Sequence, residues 1–241
     1  MNVPISVVIP AHNEEFTLPK TLAKLLTQSV FPQEIIIVDN ASTDQTCQVV
    51  ERYTSDFKKN NIALHLIHQP ILGVARARNS GFFAATQPII SSIDCDSLPS
   101  QHWLKSIQHH FETTDSIAVT GILIFHDGPL LIRWLSEHRW FQLYFAITNK
   151  LFGFQSITTA NCAVLKKIFL KTGGFDKNII SPNDLDDFDF ASRLKKFGTV
   201  RCDPRIIVYT SMRRYGNVFT AIQTTIHRWK AIFRILKKMR D

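Results

Sequence analysis

Asp94 and Asp96 stand one residue apart at the end of the apolar stretch PIISSI, and two carboxylates so placed could hold a divalent cation. In an extended chain, residues i and i+2 point the same way, so both carboxylates would share one face while Cys95 points into packing. Such hard oxygen donors suit Mg²⁺ or Mn²⁺, and Mg²⁺ commonly completes its shell with water and substrate phosphates. The alternative is a strand-to-helix turn in which Asp96 caps backbone N–H groups. The pattern alone leaves both interpretations open.

A second acidic cluster, DLDDFDF, brings four carboxylates together at the predicted start of a helix. They belong to Asp184, Asp186, Asp187 and Asp189. The helix dipole favours one or two acidic residues in a first turn, but four carboxylates this close repel one another. The excess indicates a site, because a carboxylate that faces an acceptor hydroxyl can act as a general base.

Two further polar segments follow apolar ones. Asp39 closes EIIIVD, where its carboxylate could accept hydrogen bonds from a ribose or a base, whereas Asp44 could merely cap the next helix. Arg78 and Asn79 lie in GVARARNSG and could reach a phosphate, or could lie on a solvated helix face. This segment is not a Walker loop, because it lacks the GKS or GKT ending.

The elements that must position these residues alternate between strands and helices. Short apolar runs predict strands, and apolar residues at helical spacing predict helices between them. The strands are predicted over residues 5–10, 34–39, 62–68 and 88–94. Nearly all-apolar strands that alternate with helices predict an α/β fold with a mostly parallel sheet and helices on both faces. The loops PAHNEE, DNASTD and DCDS would then converge at the carboxyl edge, where such sheets bind ligands.

The second half of the chain is less regular. Strands are predicted over 117–125, 156–165 and 205–210, and helices over 129–150, 184–198 and 218–240. We expect Gly198 to end the helix that starts in the acidic cluster. These boundaries predict one domain over residues 1–212 and a basic amphipathic C-terminal helix within residues 213–241.

The composition bounds the class of protein. With 45% hydrophobic residues, the 241-residue chain can build a core, and its length suits one α/β domain with a small appendage. The 4 cysteines lack zinc-binding spacing, which predicts reduced thiols in a cytoplasmic protein. We expect no signal peptide and no membrane span, since no stretch approaches ~20 uninterrupted apolar residues.

The net charge of +8 is concentrated at the end of the chain. Residues 1–200 carry 18 basic and 18 acidic side chains, whereas residues 201–241 carry 10 basic and 2 acidic ones. This distribution argues against a nucleic-acid partner and indicates a local segment that seeks anions or a membrane surface.

The predicted last helix has one apolar stripe and basic residues on its other faces. The stripe comprises Ile222, Ile226, Trp229, Phe233 and Leu236. This pattern is typical of a helix that lies on anionic lipid, and the aromatic helix predicted over 129–150 would add interfacial Trp and Tyr. The alternative is that both helices pack on the domain. Membrane contact would indicate a lipid-linked acceptor reached from the cytoplasmic leaflet.

Taken together, the motifs resemble the family 2 glycosyltransferases, which have the GT-A fold. The matching segments, in chain order, are VVIPAHNEE, EIIIVDNASTDQT, LGVARARNSGFFAA, IISSIDCD, KTGGFD and DLDDFDFASRLKKFG. They fall within residues 4–200, about four fifths of the chain. The resemblance implies an inverting transferase that takes a sugar from a nucleotide-diphosphate donor, such as a UDP- or GDP-sugar, with Mg²⁺ or Mn²⁺ as cofactor.

The resemblance also implies roles for individual residues. Asp187 matches the catalytic aspartate, and Asp186 stands where the family usually has its partner glutamate. Asp96, with help from Asp94, matches the metal ligand at the donor's diphosphate. The positions matched to the nucleotide are Pro10, Ala11, His12, Glu14, Asp39, Asn40, Arg78 and Asp94. Separately, Arg213 and Arg214 precede the last predicted helix and could contact a phosphate of the acceptor or donor.

Departures from the family pattern keep alternatives open. Asn40 replaces an acid, Asp186 is shorter than glutamate, and no QxxRW follows, which argues against a processive polysaccharide synthase. A non-catalytic nucleotide- or membrane-binding protein of GT-A type is the main alternative. A phosphatase with a DxD nucleophile is less favoured, because Leu98 stands where that class usually has Thr or Val.

Overall fold

A computed structural model describes residues 2–138, 140–179 and 186–213 of the chain, and within them eight strands form one mixed sheet. Its strand order is β3-β2-β1-β4-β7-β6-β8-β5. The strands are β1 (Asn2–Ala11), β2 (Phe31–Asp39), β3 (Ala63–His68), β4 (Ile89–Ile93), β5 (Ser97–Pro99), β6 (Ala118–Phe125), β7 (Asn161–Leu165) and β8 (Val200–Thr210).

Helices separate most of these strands. They are α1 (Leu18–Leu25), α2 (Thr46–Lys59), α3 (Val74–Ala84), α4 (Trp103–Thr113), α5 (Leu130–Glu137), α6 (Trp140–Phe152), α7 (Lys166–Thr172) and α8 (Asp186–Leu194). Among the described residues, no helix is both long and apolar enough to cross a bilayer.

The sheet is covered on both faces, as its strand sequences predict. Successive side chains of a strand point to opposite faces, so Val7 joins the core under α1, α2 and α4, while Val8 joins the core under α3, α7 and α8. Gly81 of α3 permits close packing, since an added Cβ would lie 2.4 Å from Val8 Cγ1 and 2.9 Å from Val38 Cγ2. Helix α3 therefore lies close against β1 and β2.

Strand register brings the predicted loops to one edge. The strands β3, β2, β1 and β4 are mutually parallel, and the β1–β2 register places Pro10 opposite Val38 and Ala11 opposite Asp39. The segments PAHNEE, DNASTD and DCDS all follow the carboxyl ends of these strands. The predicted convergence of the three loops is therefore confirmed.

The second half differs from several predictions. Strand β7 covers only 161–165 of the strand predicted over 156–165, and it runs antiparallel to both β4 and β6. The single helix predicted over 129–150 is two helices, because His138 leaves the helical region at φ −99° and ψ 48°. Helix α8 ends at Leu194, four residues before Gly198. The helix predicted over 218–240 lies outside the described residues, and the domain boundary near 212 stays a prediction.

Candidate active site

Backbone and side-chain hydrogen bonds join the first two loops of the edge. His12 Nδ1 lies 2.8 Å from the carbonyl oxygen of Asn40. Thr43 donates its N–H to Asn13 Oδ1 at 2.8 Å, and Asn13, at φ 54°, adopts the left-handed conformation that asparagine tolerates. The loops that hold the predicted nucleotide-binding residues thus form one connected surface.

Asn40, which replaces the acid of the family pattern, holds a third segment in place. Its Nδ2 donates to the carbonyls of Gln69 and Ile71, and its Oδ1 accepts the N–H of Gly73. The side chain is 4% exposed, so these three bonds satisfy a buried amide. Asn40 therefore fixes the entry into α3.

Asp39 lies at the end of β2, and its side chain is 8% exposed. Its Oδ1 accepts the N–H of Ser42 at 3.2 Å, and its Oδ2 lies 3.2 Å from His68 Nδ1. Asp44, at the same edge, accepts the N–H of Thr46 at the start of α2. This contact agrees with the interpretation of Asp44 as a helix cap. Asp39 is thus the carboxylate of this loop available to a site.

The DCD turn follows β4 as predicted, and its middle residue points into the protein. Cys95 is 2% exposed, and its Sγ lies 3.0 Å from the carbonyl oxygen of Pro10. Burial, together with the nearby carboxylates of Glu14, Asp94 and Asp96, raises the pKa of the Cys95 thiol well above its usual value. Cys95 therefore stays a neutral packing group.

Arg78 connects the DCD turn to the second acidic cluster. Its Nη1 donates to Asp186 Oδ2 at 2.6 Å, and its Nη2 donates to Asp94 Oδ1 at 3.3 Å. The guanidinium is 4% exposed. Burial alone would lower the pKa of Arg78, but Asp186, Asp94 and Asp187 raise it above its ordinary value, so the group stays charged. Asp186, although shorter than glutamate, reaches this partner directly.

The acidic cluster divides between a site and the scaffold. Asp187 is 9% exposed, and its Oδ1 accepts the N–H of Phe188. Asp189 instead accepts two hydrogen bonds from Arg193, at 3.0 and 2.7 Å, and Arg193 also donates to backbone carbonyls at the end of α7. Part of the predicted excess of carboxylates is therefore explained by an ion pair within α8. Asp184 lies outside the described residues.

Arg213 brings the end of the described chain to the same edge. Its Nη2 donates to both carboxylate oxygens of Glu14, at 2.8 and 2.9 Å, and lies 3.7 Å from Asp96 Oδ2. The hydrogen bond to Glu14 raises the pKa of Arg213, which keeps a cation beside the DCD turn. Arg214 lies outside the described residues.

The turn after β4 fits a hard divalent cation by the chemistry of its donors. Asp94 and Asp96 offer oxygen atoms only, and their side chains are 14% and 7% exposed. Mg²⁺ and Mn²⁺ prefer such ligands and accept few of them from protein. These two aspartates are therefore the residues that would hold the cation.

Sequence reasoning missed two neighbours of Asp39. His68 ends β3 directly opposite Asp39 in the parallel register, and Cys47 lies in the first turn of α2. The signal for His68 was its position at the end of a predicted strand. That His68 lies opposite Asp39 follows only from the pairing register of β2 and β3, which cannot be read from the sequence.

The mixed sheet, with its acidic residues at the carboxyl edge, agrees with the GT-A fold that the sequence motifs imply. The family model described as glycosyl transferase family 2 matches residues 6–174, and the chain belongs to this family. A curated relative, validoxylamine A glucosyltransferase from Streptomyces hygroscopicus subsp. limoneus, is 33% identical over 224 residues, which cover 80% of this chain and 48% of that protein. Glycosyltransferase AglE from Haloferax volcanii is 26% identical over 190 residues, and the match covers 75% of this chain and 59% of that protein. This chain spans about half the length of the curated relatives it matches.

Solved structures share the fold at low identity. The mannosyltransferase PcManGT from Pyrobaculum calidifontis, in complex with GDP-Man and Mn²⁺, gives a TM-score of 0.73 at 19% identity, with 96% of this chain and 64% of that chain covered. S. aureus TarS 1–349, in complex with UDP-GlcNAc, gives a TM-score of 0.66 at 18% identity. The match covers 87% of this chain and 58% of that chain. These similarities confirm the predicted α/β GT-A fold.

Proposed function

We propose that the protein is an inverting glycosyltransferase that moves a sugar from a nucleotide-diphosphate donor to an acceptor hydroxyl. One observation carries the proposal. Arg78 joins the oxygen-donor pair after β4, through Asp94, to the acidic start of α8, through Asp186. The residues that could stabilise a leaving diphosphate thereby lie at the same edge of the sheet as Asp187, a buried carboxylate that could act as a base.

The donor is a UDP- or GDP-sugar, bound where the loops after β1 and β2 meet. Two solved structures with this fold contain UDP-GlcNAc, or GDP-Man with Mn²⁺, which supports this class of ligand. Asp39 would accept hydrogen bonds from the nucleoside, alongside the backbone of Pro10 to His12. Asp94 and Asp96 would hold Mg²⁺ or Mn²⁺, and when bound this cation neutralises charge on the diphosphate. Arg213, beside Asp96, would add a second positive charge there.

Asp187 is the general base of the proposed reaction. Its carboxylate takes the proton of the acceptor hydroxyl as the hydroxyl oxygen bonds to the anomeric carbon of the sugar. The bond from that carbon to the diphosphate oxygen breaks on the opposite face, and the diphosphate leaves with the electron pair. One displacement inverts the configuration and requires no covalent enzyme intermediate. Arg78 holds Asp186, the neighbour of Asp187 on α8, and so fixes the start of that helix.

The acceptor we propose is a lipid-linked or cell-envelope glycan at the cytoplasmic face of a membrane. Helices α5 and α6 support this proposal, because they expose apolar side chains beside basic ones. The exposed residues are Leu130, Leu131, Trp134, Leu143, Ile147 and Leu151. Large apolar side chains exposed on two consecutive helices are a feature of protein or membrane contacts. Together with the basic C-terminal segment, they support peripheral membrane association.

Replacement of Asp187 tests the reaction directly. Asp187→Asn removes the base but keeps the shape of the side chain, so donor binding should persist while turnover falls ~10²–10⁴-fold. Turnover is measured as release of UDP or GDP from candidate donors with Mn²⁺ present, and binding is measured by calorimetry.

Asp189→Asn is the matched control, since Asp189 lies on the same helix and pairs with Arg193. It should retain turnover. Equal turnover in Asp187→Asn and the native protein would overturn the base assignment. Nucleotide binding without release from any donor would instead indicate a non-catalytic binding protein.

A further inference from the structure

Asp39, Cys47 and His68 form a group of three side chains that the proposed transfer does not use as a unit. Their ligand atoms, one carboxylate oxygen, Sγ and one ring nitrogen, all lie within 4.8 Å of one another. They come from three elements, because Asp39 ends β2, His68 ends β3 and Cys47 is the second residue of α2. The parallel β2–β3 register, with Asp39 opposite His68, fixes two of the three side by side.

The donor set differs in kind from that of the DCD turn. Asp94 and Asp96 offer oxygen alone, whereas this group offers sulfur, nitrogen and oxygen. Thiolate and imidazole ligands favour Zn²⁺ and Co²⁺ over Mg²⁺, and three protein ligands leave the fourth position of a tetrahedral site open. The two groups should therefore select different cations.

The distances are compatible with such a cation. Tetrahedral Zn²⁺, with ~2.0 Å bonds to N and O and ~2.3 Å to S, separates its ligand atoms by roughly 3.3–3.5 Å. His68 Nδ1 and Asp39 Oδ2 are already 3.2 Å apart. The His68 side chain is 66% exposed and so is free to turn and open to entering ions, whereas the Asp39 carboxylate is held by the N–H of Ser42. Closing the group requires only small side-chain movements.

The local charge also favours a cation. The carboxylates of Asp39, Glu51 and Asp44 lie near the Cys47 thiol. A bound divalent cation would offset their repulsion of a thiolate.

We propose that Asp39, Cys47 and His68 bind Zn²⁺, or a similar borderline-soft divalent cation, at a site separate from the Asp94 and Asp96 pair. Binding breaks the Cys47 S–H bond, releases that proton to water and forms the sulfur–metal bond. A second consequence concerns Asp39, and it rests on the proposed function. Its carboxylate cannot serve the nucleoside while it ligates the metal, so occupancy of this site excludes the donor.

Cobalt tests the site without any measurement of activity. The full chain, stripped of metal with a chelator, is titrated with Co²⁺ and followed by the thiolate-to-cobalt charge-transfer absorption. We expect one Co²⁺ per chain with this absorption, its displacement by Zn²⁺, and its loss in Cys47→Ser and in His68→Gln. His68 is largely exposed, so His68→Gln should fold. Cys202→Ser, which removes another partly exposed thiol, should leave the absorption unchanged.

Absence of the charge-transfer absorption, or its persistence in Cys47→Ser, would overturn the site. A second measurement addresses the donor. Calorimetry of UDP and GDP in Mn²⁺ should show affinity reduced at least ~10-fold by Zn²⁺ in the native chain, but not in Cys47→Ser. A cobalt site with unaltered nucleotide affinity would confirm the metal site and overturn the nucleoside role of Asp39. A chain that binds no nucleotide would contradict the proposed function, while the cobalt result still decides the metal site.

Discussion

Each carboxylate at the sheet edge lies beside an arginine or a backbone N–H group. Asp186 and Asp94 contact Arg78, Asp96 lies near Arg213, and Asp187 accepts a backbone N–H. Each partner holds its carboxylate in one orientation, and a fixed position is what a metal ligand or a base requires. The chemistry at this scale therefore depends on which partner each aspartate has.

Asp96 should be the residue on which metal-dependent nucleotide binding depends. Asp96→Ala removes one of the two proposed oxygen ligands at the DCD turn. Loss of a direct ligand should lower metal affinity by at least the ~10–100-fold that is typical when a residue supporting a ligand is replaced. Calorimetry of UDP or GDP, with and without Mn²⁺, measures the effect.

The control for Asp96→Ala is Asp56→Ala, which removes an exposed carboxylate paired with Lys59 on α2. It should retain the Mn²⁺ dependence of the native chain. If Asp96→Ala also retained that dependence, the metal assignment would be wrong.

At the scale of elements, Arg78 joins parts of the chain that the sheet alone does not fix. It extends from α3 to the turn after β4 and to the first residue of α8. Asn161 has a similar role in the second half, where its side chain accepts from Trp103 Nε1 and donates to the carbonyls of Ile122 and Ile206. Buried polar side chains thus set the relative positions of elements that carry the site.

Replacing Arg78 should destabilise the protein through the charges it leaves behind. Arg78→Met removes the cation from two carboxylates that are 14% exposed or less, and breaking a buried pair costs about 3–5 kcal/mol. Urea unfolding followed by circular dichroism measures the loss of unfolding free energy.

Arg201→Met is the comparison, because Arg201 pairs with Asp115 at the surface, with side chains 51% and 79% exposed. An exposed pair contributes about 0–1 kcal/mol, so this variant should unfold close to the native midpoint. Similar losses in the two variants would show that Arg78 does not act as a buried charge.

At the scale of the whole molecule, two features outside the sheet edge support the proposed membrane contact. Helices α5 and α6 expose apolar side chains, among them Trp134 at 53% and Leu151 at 62%. The positive charge of the sequence is concentrated in residues 201–241. Exposed apolar side chains and a basic segment in one chain are typical of proteins that bind anionic lipid peripherally.

Removal of the basic end should reduce binding to anionic vesicles. The full chain should float with vesicles containing phosphatidylglycerol, whereas a chain ending at Asn217 should remain largely in solution, since each basic residue near the surface contributes ~1 kcal/mol. Neutral phosphatidylcholine vesicles and added salt should both weaken flotation of the full chain.

A double variant, Ile147→Ser with Leu151→Ser, separates the contribution of α6, because both side chains are exposed. Reduced flotation in this variant would assign part of the contact to α6. If the full chain failed to float with anionic vesicles, the membrane proposal would be rejected.

The sequence by itself determined the α/β class, the parallel strands of the first half and the convergence of three polar loops. Hydrophobic periodicity and the direction of parallel strands are local properties, so Asp39, Asp94 and Asp96 could be assigned to one edge without coordinates. Predictions were weaker where strands became antiparallel, as at β7, because pairing partners there are distant in sequence.

Tertiary structure alone decided which side chains meet. Arg78 and Asp186 are 108 residues apart, Glu14 and Arg213 are 199 apart, and no periodicity predicts either pair. The same holds for Cys47 and His68, which come together at Asp39 only through strand register and the docking of α2. Residue types and local spacing are written along the chain, but a contact depends on how distant elements pack, and packing is a property of the whole fold.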